Sequence, residues 1–288
     1  LKVYTPAEYG HPYYSLRRKW RGYDLLAPSK NFSPDVEDGY TKEYPFSTTP
    51  DEKITVQDLF EAQRDYYQGT KFDLTKGPAA GPFGSPYRYA GGKGEQIVKG
   101  AWERPISIFR CSYTFVLQSR GWLPDPIGNI TWWGPDAPHS TAYVPFYAGI
   151  NNLPQTYSIG SLDEYDRDSA WWAFDFLSNW AGLKFNYMIE DIQKKQEEIE
   201  SRQFAMQPAI EEAAKMLYKQ DPELAKEYLT DYCVSNANKV AAEWWDFSDF
   251  MITKYNDGYI NIPEIGTGEG YPAEWLKEVG YPEGPTEY

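Results

Sequence analysis

Three arginines, Arg17, Arg18 and Arg21, crowd around Trp20 in the stretch YYSLRRKWRGYDLL. A guanidinium holds its N–H donors in a planar fork that fits carboxylates and tetrahedral oxyanions. The cluster therefore reads either as a solvated basic helix face or as an anion site. A second polar pair, Gln118 and Arg120, lies two positions apart in TFVLQSRGW, which directs both side chains to one face of a strand. Polar groups on an interior sheet face need partners, and arginine there is costly unless it serves a site. Cys111 and Cys233 are too few for a disulfide framework or a Cys-based metal site, and read as one bridge or two thiols. Cys111 has apolar neighbours on its own face, as a structural thiol does; a nucleophilic thiol wants an exposed, electropositive setting. Two histidines, His11 and His139, leave little material for zinc. Adjacent acids such as Asp163 and Glu164 arise by chance among 42 acidic residues, and carboxylate-pair chemistry depends on separation in space. The chain has no G-x-S-x-G elbow, no Walker loop and no G-x-G-x-x-G between a strand and a helix.

The elements that must carry these residues follow from periodicity. Leu16, Trp20, Tyr23 and Leu26 recur at helical spacing and predict a helix over Tyr13–Leu26, after which Pro28, Pro34 and Pro45 break regular structure. Thr55 followed three residues later by Asp58 is a capping-box pattern opening a second helix that should stop near Gly69. Residues 76–94, rich in glycine and proline, read as a long ordered loop or linker. Alternation predicts a strand over Ile106–Arg120, with Phe109, Cys111, Tyr113, Phe115 and Leu117 on one face and Arg110, Ser112, Thr114, Val116, Gln118 and Arg120 on the other. Short turns then lead to Ile130–Trp133 and Ser140–Tyr147, an antiparallel arrangement. From Ser169 a helix runs from apolar nearly all round to strongly charged, as a buried helix reaching the surface does. Asp221-Pro222-Glu223 is a helix start, Asn238–Tyr255 is helical, and the tail after Gly258 should wrap over the surface. The fold class is α+β: residues 13–165 as helix and antiparallel sheet, 166–258 as a helical block, and 259–288 as a tail of one domain.

Composition limits the partners. The 288 residues carry 28 Lys and Arg against 42 Asp and Glu, a net charge of −14. That balance argues against nucleic acid or an anionic membrane as main partner. Hydrophobic residues at 41% and charged residues at 24% are those of a globular protein, and no stretch is apolar enough to span a membrane. The aromatic content, with 11 Trp, 25 Tyr and 14 Phe, belongs either to a large core with polar margins or to a glycan- or peptide-binding surface. The start LKVYTPAEYG is no signal peptide, and a chain opening on Leu1 is expected to be a processed or truncated piece of something longer.

Four stretches, YYSLRRKWRGYDLLAPS, YYQGTKFDLTKGPAAGPFGSPYR, TFVLQSRGWLPDPIGNITWWGPDAPHSTAYVPFYAGINNLPQTY and LAKEYLTDYCVSNA, occur in order between Tyr13 and Tyr255. Together they resemble the C-terminal half of the dipeptidase A/secernin-type cysteine peptidases, which are N-terminal-nucleophile (Ntn) hydrolases. The specific part is the long signature Q-x-R-x-x-L-P-D-P-I-G, W-x-G and S-x-x-Y-V-P-x-Y. The resemblance implies half of a four-layer αββα sandwich and hydrolysis of dipeptides or related amides. It also implies a nucleophilic cysteine at a mature N-terminus, whose own α-amine acts as base, with no metal or cofactor. Arg18 matches the arginine of the family's A-R-x-W-R helix, completed here by Trp20 and Arg21, with Arg17 in place of the small residue. The resemblance assigns Arg18 support of the nucleophile and the tetrahedral intermediate. Gln118 and Arg120 match the Q-x-R, where they are site-supporting or structural, and Arg21 is substrate-binding or structural.

Residue 1 is Leu rather than Cys, so the implied nucleophile is not in this chain. The favoured reading is a second chain cut from one precursor and paired with an N-terminal chain that begins with Cys, in a possible higher oligomer. Half a sandwich would expose an apolar sheet face, and such faces seek partners. The alternatives are a degenerate, non-catalytic glycan- or peptide-binding protein, or an amidase acting on another acyl amide. Relatives of this type suggest a secreted, lysosomal or periplasmic setting. The acceptor triplets at Asn31 and Asn129 are read as chance, because one precedes Pro34 and the other lies in a strand.

Overall fold

The computed structural model describes residues 15–35, 44–87, 103–264, 266 and 268–280. His11, the beginning of the first expected helix, residues 88–94 of the glycine-rich loop and the end of the tail lie outside the described residues. The chain divides into two compact units, residues 1–108 with 271–288, and residues 109–270.

In the first unit, α1 (Arg17–Leu26) buries Leu16 and Trp20 in a cluster with Tyr44. Helix α2 (Val56–Gln63) carries the capping box its sequence announces: the Asp58 amide donates to the Thr55 hydroxyl, and the Thr55 amide donates to the Asp58 carboxylate at 2.7 Å. It ends at Gln63 rather than near Gly69, because Asp65 takes the following backbone into a turn by accepting the Tyr67 amide at 2.8 Å. A short helix in the tail, α7 (Ala273–Glu278), belongs to this unit.

The second unit is a sheet covered by helices. Strands β1 (Tyr113–Ser119), β2 (Asn129–Pro135) and β3 (Val144–Tyr147) pair antiparallel in that order, with the one-turn helix α3 (Asp125–Gly128) between the first two. Strand β1 is shorter than the alternation predicts. Tyr113 pairs with Pro135, and Asp136 then takes φ 60°, which turns the chain away and leaves residues 106–112 no partner strand among the described residues. Cys111 therefore precedes the strand instead of lying within it.

Helix α4 (Ala170–Ala181) buries Ala173, Phe174, Leu177, Ser178 and Ala181, while the opposite side keeps its aromatic residues only partly covered. The expected continuous helix breaks after Gly182, since the Gly182 and Leu183 amides close tight turns onto Asn179 and Trp180. Helices α5 (Phe185–Gln220) and α6 (Pro222–Lys254) then form a long hairpin joined by Asp221 alone. Asp221 caps α6 as read from sequence, accepting the Glu223 amide at 2.9 Å, and α6 runs unbroken where two helices were expected. The hairpin is antiparallel, pinned by Arg202–Glu243 at 2.8 Å and Lys254–Asp191 at 2.6 Å. One sheet face packs on it through Trp132, whose ring stacks on Phe204 at 4.5 Å. The α+β class holds.

Candidate functional site

Helical geometry separates the three arginines. Arg17 and Arg21 are one turn apart and share a side of α1, whereas Arg18 is rotated about 100° from Arg17. The Arg17 Nη1 donates to Glu103 Oε1 at 2.6 Å, and its guanidinium lies 3.5 Å from the centre of the Phe72 ring. Arg21 donates through Nε and Nη2 to Asp65 Oδ2 at 2.9 and 2.8 Å, through Nη1 to Asp24, and through Nη2 to the Gln68 carbonyl. Burial alone would lower the Arg21 pKa, but Asp65 and Asp24 more than offset it and hold it above its usual value. Trp20 anchors the helix by donating its indole N–H to the Phe32 carbonyl at 2.9 Å.

Asp65 is the buried keystone of this region, accepting from Arg21 and the Tyr67 amide while its carbonyl accepts the Ser107 amide. Tyr67, fully buried, adopts φ 70°, a left-handed conformation that is strained for a bulky residue and is held by Asp65 and by its own hydroxyl donating to the Arg104 carbonyl. Burial pushes that hydroxyl's pKa far up, while Arg18 and Arg17 pull it partly back. Arg18 is thus half-buried beside Tyr67, on a helix clamped by its two arginine neighbours.

In the second unit the Q-x-R residues face the helices. Gln118 Oε1 accepts the Trp132 indole N–H at 3.3 Å. Arg120 lies just beyond β1; its Nη1 pairs with Glu211 of α5 at 2.7 Å, and its Nη2 donates to the Ile127 carbonyl at 2.9 Å. Glu211 also accepts the Tyr147 hydroxyl at 3.0 Å and the Gln207 amide at 2.7 Å. Sequence reading missed this helix row entirely. Gln196 donates to the carbonyls of His139 and Thr141, Glu200 accepts the Tyr143 amide, and Gln203 donates to the Tyr143 carbonyl at 2.7 Å. The row satisfies the backbone of the buried, irregular segment carrying the S-x-x-Y-V-P signature. Its helical spacing was visible, but polar residues at such spacing look like a solvated face until their partners are known.

The cysteines are both free thiols. Burial pushes Cys233 up to about 12, and it also raises Cys111, which donates to the Tyr113 carbonyl at 3.0 Å. Neither is an activated thiolate. The sheet face away from the helices carries Tyr113, Phe115 and Leu117, exposed by 49%, 43% and 65%. Tyr113 stacks on Trp133 at 4.4 Å there, so the uncovered surface is aromatic and ordered.

The model of peptidase family C69 matches residues 1–198, which includes α1, the Q-x-R pair and strands β1, β2 and β3. The chain belongs to peptidase family C69. Among relatives, a probable dipeptidase A of Streptococcus pyogenes serotype M18 is 25% identical over 250 residues, 85% of this chain and 47% of its own length. A probable dipeptidase B of Lactococcus lactis is 29% identical over 160 residues, 55% of this chain and 29% of the relative. A probable dipeptidase of Salmonella dublin is 32% identical over 109 residues, 38% and 21% of the two chains. This C69 chain thus spans less than half the length of the relatives it matches. The C69 match covers the arginine helix and the sheet but stops within α5, before Glu211.

Proposed function

We propose that this chain forms part of a cysteine dipeptidase and supports a nucleophile that it does not itself supply. Membership of peptidase family C69 carries the reading, and relatives named as dipeptidases support it. Both thiols of the chain have raised pKa values, which suits structural cysteines and leaves the attacking thiol to another chain. That chain, from the same precursor, begins with the nucleophilic cysteine, whose α-amine takes up the thiol proton. Its sheet covers the aromatic face of β1–β3 and completes a four-layer αββα Ntn sandwich. Arg18, held in place by its clamped helix, stabilises the oxyanion of the tetrahedral intermediate formed on a dipeptide or related amide.

The test is intact mass spectrometry and N-terminal sequencing of native material, followed by dipeptide assays with a thiol-directed inhibitor. A co-purifying chain that starts with Cys and inhibitor-sensitive hydrolysis are expected. In the two-chain enzyme, Arg18→Ala should lower kcat about a hundredfold with the melting temperature unchanged. Isolation of this chain alone, without hydrolysis, would overturn the reading in favour of a non-catalytic binding protein. Unchanged kcat in the variant would remove Arg18 from the site.

A further inference from the structure

The second unit carries an aromatic groove on α4, on the side turned away from its buried stripe. Trp172, Phe176 and Trp180 recur every fourth residue and so line one side of the helix, with Asp175 and Asn179 in the adjacent row. Tyr165, from the preceding loop, closes a groove of about 330 Å³ against them. The rings are fixed in place: Trp172 donates its indole N–H to the Ser161 carbonyl at 3.1 Å, Tyr165 meets its edge at 5.5 Å, and Phe176 stacks with Trp180 at 5.9 Å.

The charged side chain lining the groove is the carboxylate of Asp175, which accepts a hydrogen bond from the Asn179 side chain. Asp175 is half-buried in the groove wall, and no lysine or arginine among the described residues lies within ion-pair distance of it. Its field reaches Asp136, a buried carboxyl whose Oδ2 has no hydrogen-bond partner among the described residues. The same aromatic cluster already holds one cation. Trp245 packs near Tyr165 and Phe176, at 6.1 and 6.2 Å, and the Arg167 guanidinium lies 4.6 Å over its ring while pairing with Asp249 at 3.0 Å. An aromatic face with a carboxylate beside it is the setting in which a weakly hydrated, planar cation is held. The groove repeats that setting around Asp175, with no cation paired to it among the described residues.

We propose that the α4 groove binds a guanidinium group, presented as the side chain of an arginine-containing peptide, with its plane on the Trp172 and Phe176 rings and its N–H donors on Asp175. The groove belongs to the second unit and the arginine helix to the first, and the proposal does not depend on the dipeptidase reading. An arginine residue suits it better than lysine, because the ammonium is more strongly hydrated and cannot stack.

The experiment is a tryptophan-fluorescence and calorimetric titration of the full chain with N-acetyl-arginine amide, using N-acetyl-citrulline amide as the neutral, isosteric control. Saturable binding of the arginine compound is expected, with the citrulline compound at least fivefold weaker, as stacking plus one partly exposed ion pair implies. Asp175→Asn should weaken the arginine compound by about fivefold and leave the citrulline compound unaffected, with circular dichroism showing the fold intact. Equal binding of the two compounds by the unaltered chain, or no saturable binding of either, overturns the proposal without recourse to a variant. An unchanged affinity in a folded Asp175→Asn protein overturns it as well.

Discussion

Arg120 and Glu211, 91 positions apart in sequence, form a buried ion pair at 2.7 Å that ties the end of β1 to α5. The pair sits in a fully hydrogen-bonded setting, with Tyr147 and Gln207 on the carboxylate and the Ile127 carbonyl on the guanidinium. Arg120→Met should cost about 3–5 kcal/mol in urea unfolding, since it strands a buried carboxylate. The double variant Arg120→Met/Glu211→Leu should cost clearly less than the two single changes combined. Additive costs would show that the two groups do not interact.

Asp65 and Asp24 both bind Arg21, but Asp65 is the more buried, with side-chain exposures of 6% and 35%. Asp65→Asn should therefore destabilise the protein by about 3 kcal/mol. Asp24→Asn should cost less than about 1 kcal/mol, as an exposed pair does. Denaturant midpoints of the two variants decide the order, and a reversed order would mean that Arg21 is held chiefly by its own helix.

Asp136 predicts a pH dependence. Burial pushes its carboxyl up to about 7 against an unfolded value of 3.8, with the Ala137 amide and Ser178 lowering it and the charge of Asp175 adding to the rise. The folded state therefore holds the proton more tightly than the unfolded state between these values. Its contribution is fully present below pH 3.8 and is lost as pH rises through about 7. Asp136→Asn should remove that loss, raising the melting temperature more at pH 8 than at pH 5. Cys111 and Asp175, which interact with this carboxyl, are retained in the comparison.

Gly134 of the W-x-G signature has no room for a side chain: a Cβ there would lie 2.6 Å from Thr141 Cγ2 and 3.1 Å from Thr114 Cγ2. Gly134→Ala should cost about 1–3 kcal/mol by overpacking. Adding Thr141→Ser, which deletes the closer methyl, should recover part of that loss in thermal unfolding. No recovery would point to a backbone cause.

Local chemistry was legible where a motif satisfies itself. The Thr55–Asp58 box and the Asp221 cap need only residues within one turn, so their spacing in sequence is already their structure. Alternation likewise placed Thr114, Val116 and Gln118 together on one face of β1, and the C69 signature was readable as a pattern.

Tertiary structure decided what each pattern faces. Tyr113, Phe115 and Leu117 form the more apolar row of β1, yet they are the exposed one. Thr114 and Gln118 turn inward because Tyr143 and Trp132 meet their polar atoms. The row from Gln196 to Glu211 reads as a wet helix face, yet it is buried where it serves the backbone of residues 139–143 and the Arg120 guanidinium. A polar side chain is buried at little cost only when a partner completes its hydrogen bonds, and those partners arrive from distant segments. Sequence alone determined which residues of β1 share a face and where α2 and α6 begin; the folded chain determined where β1 starts, where α4 ends and which face is inside, because that depends on partners no local spacing contains.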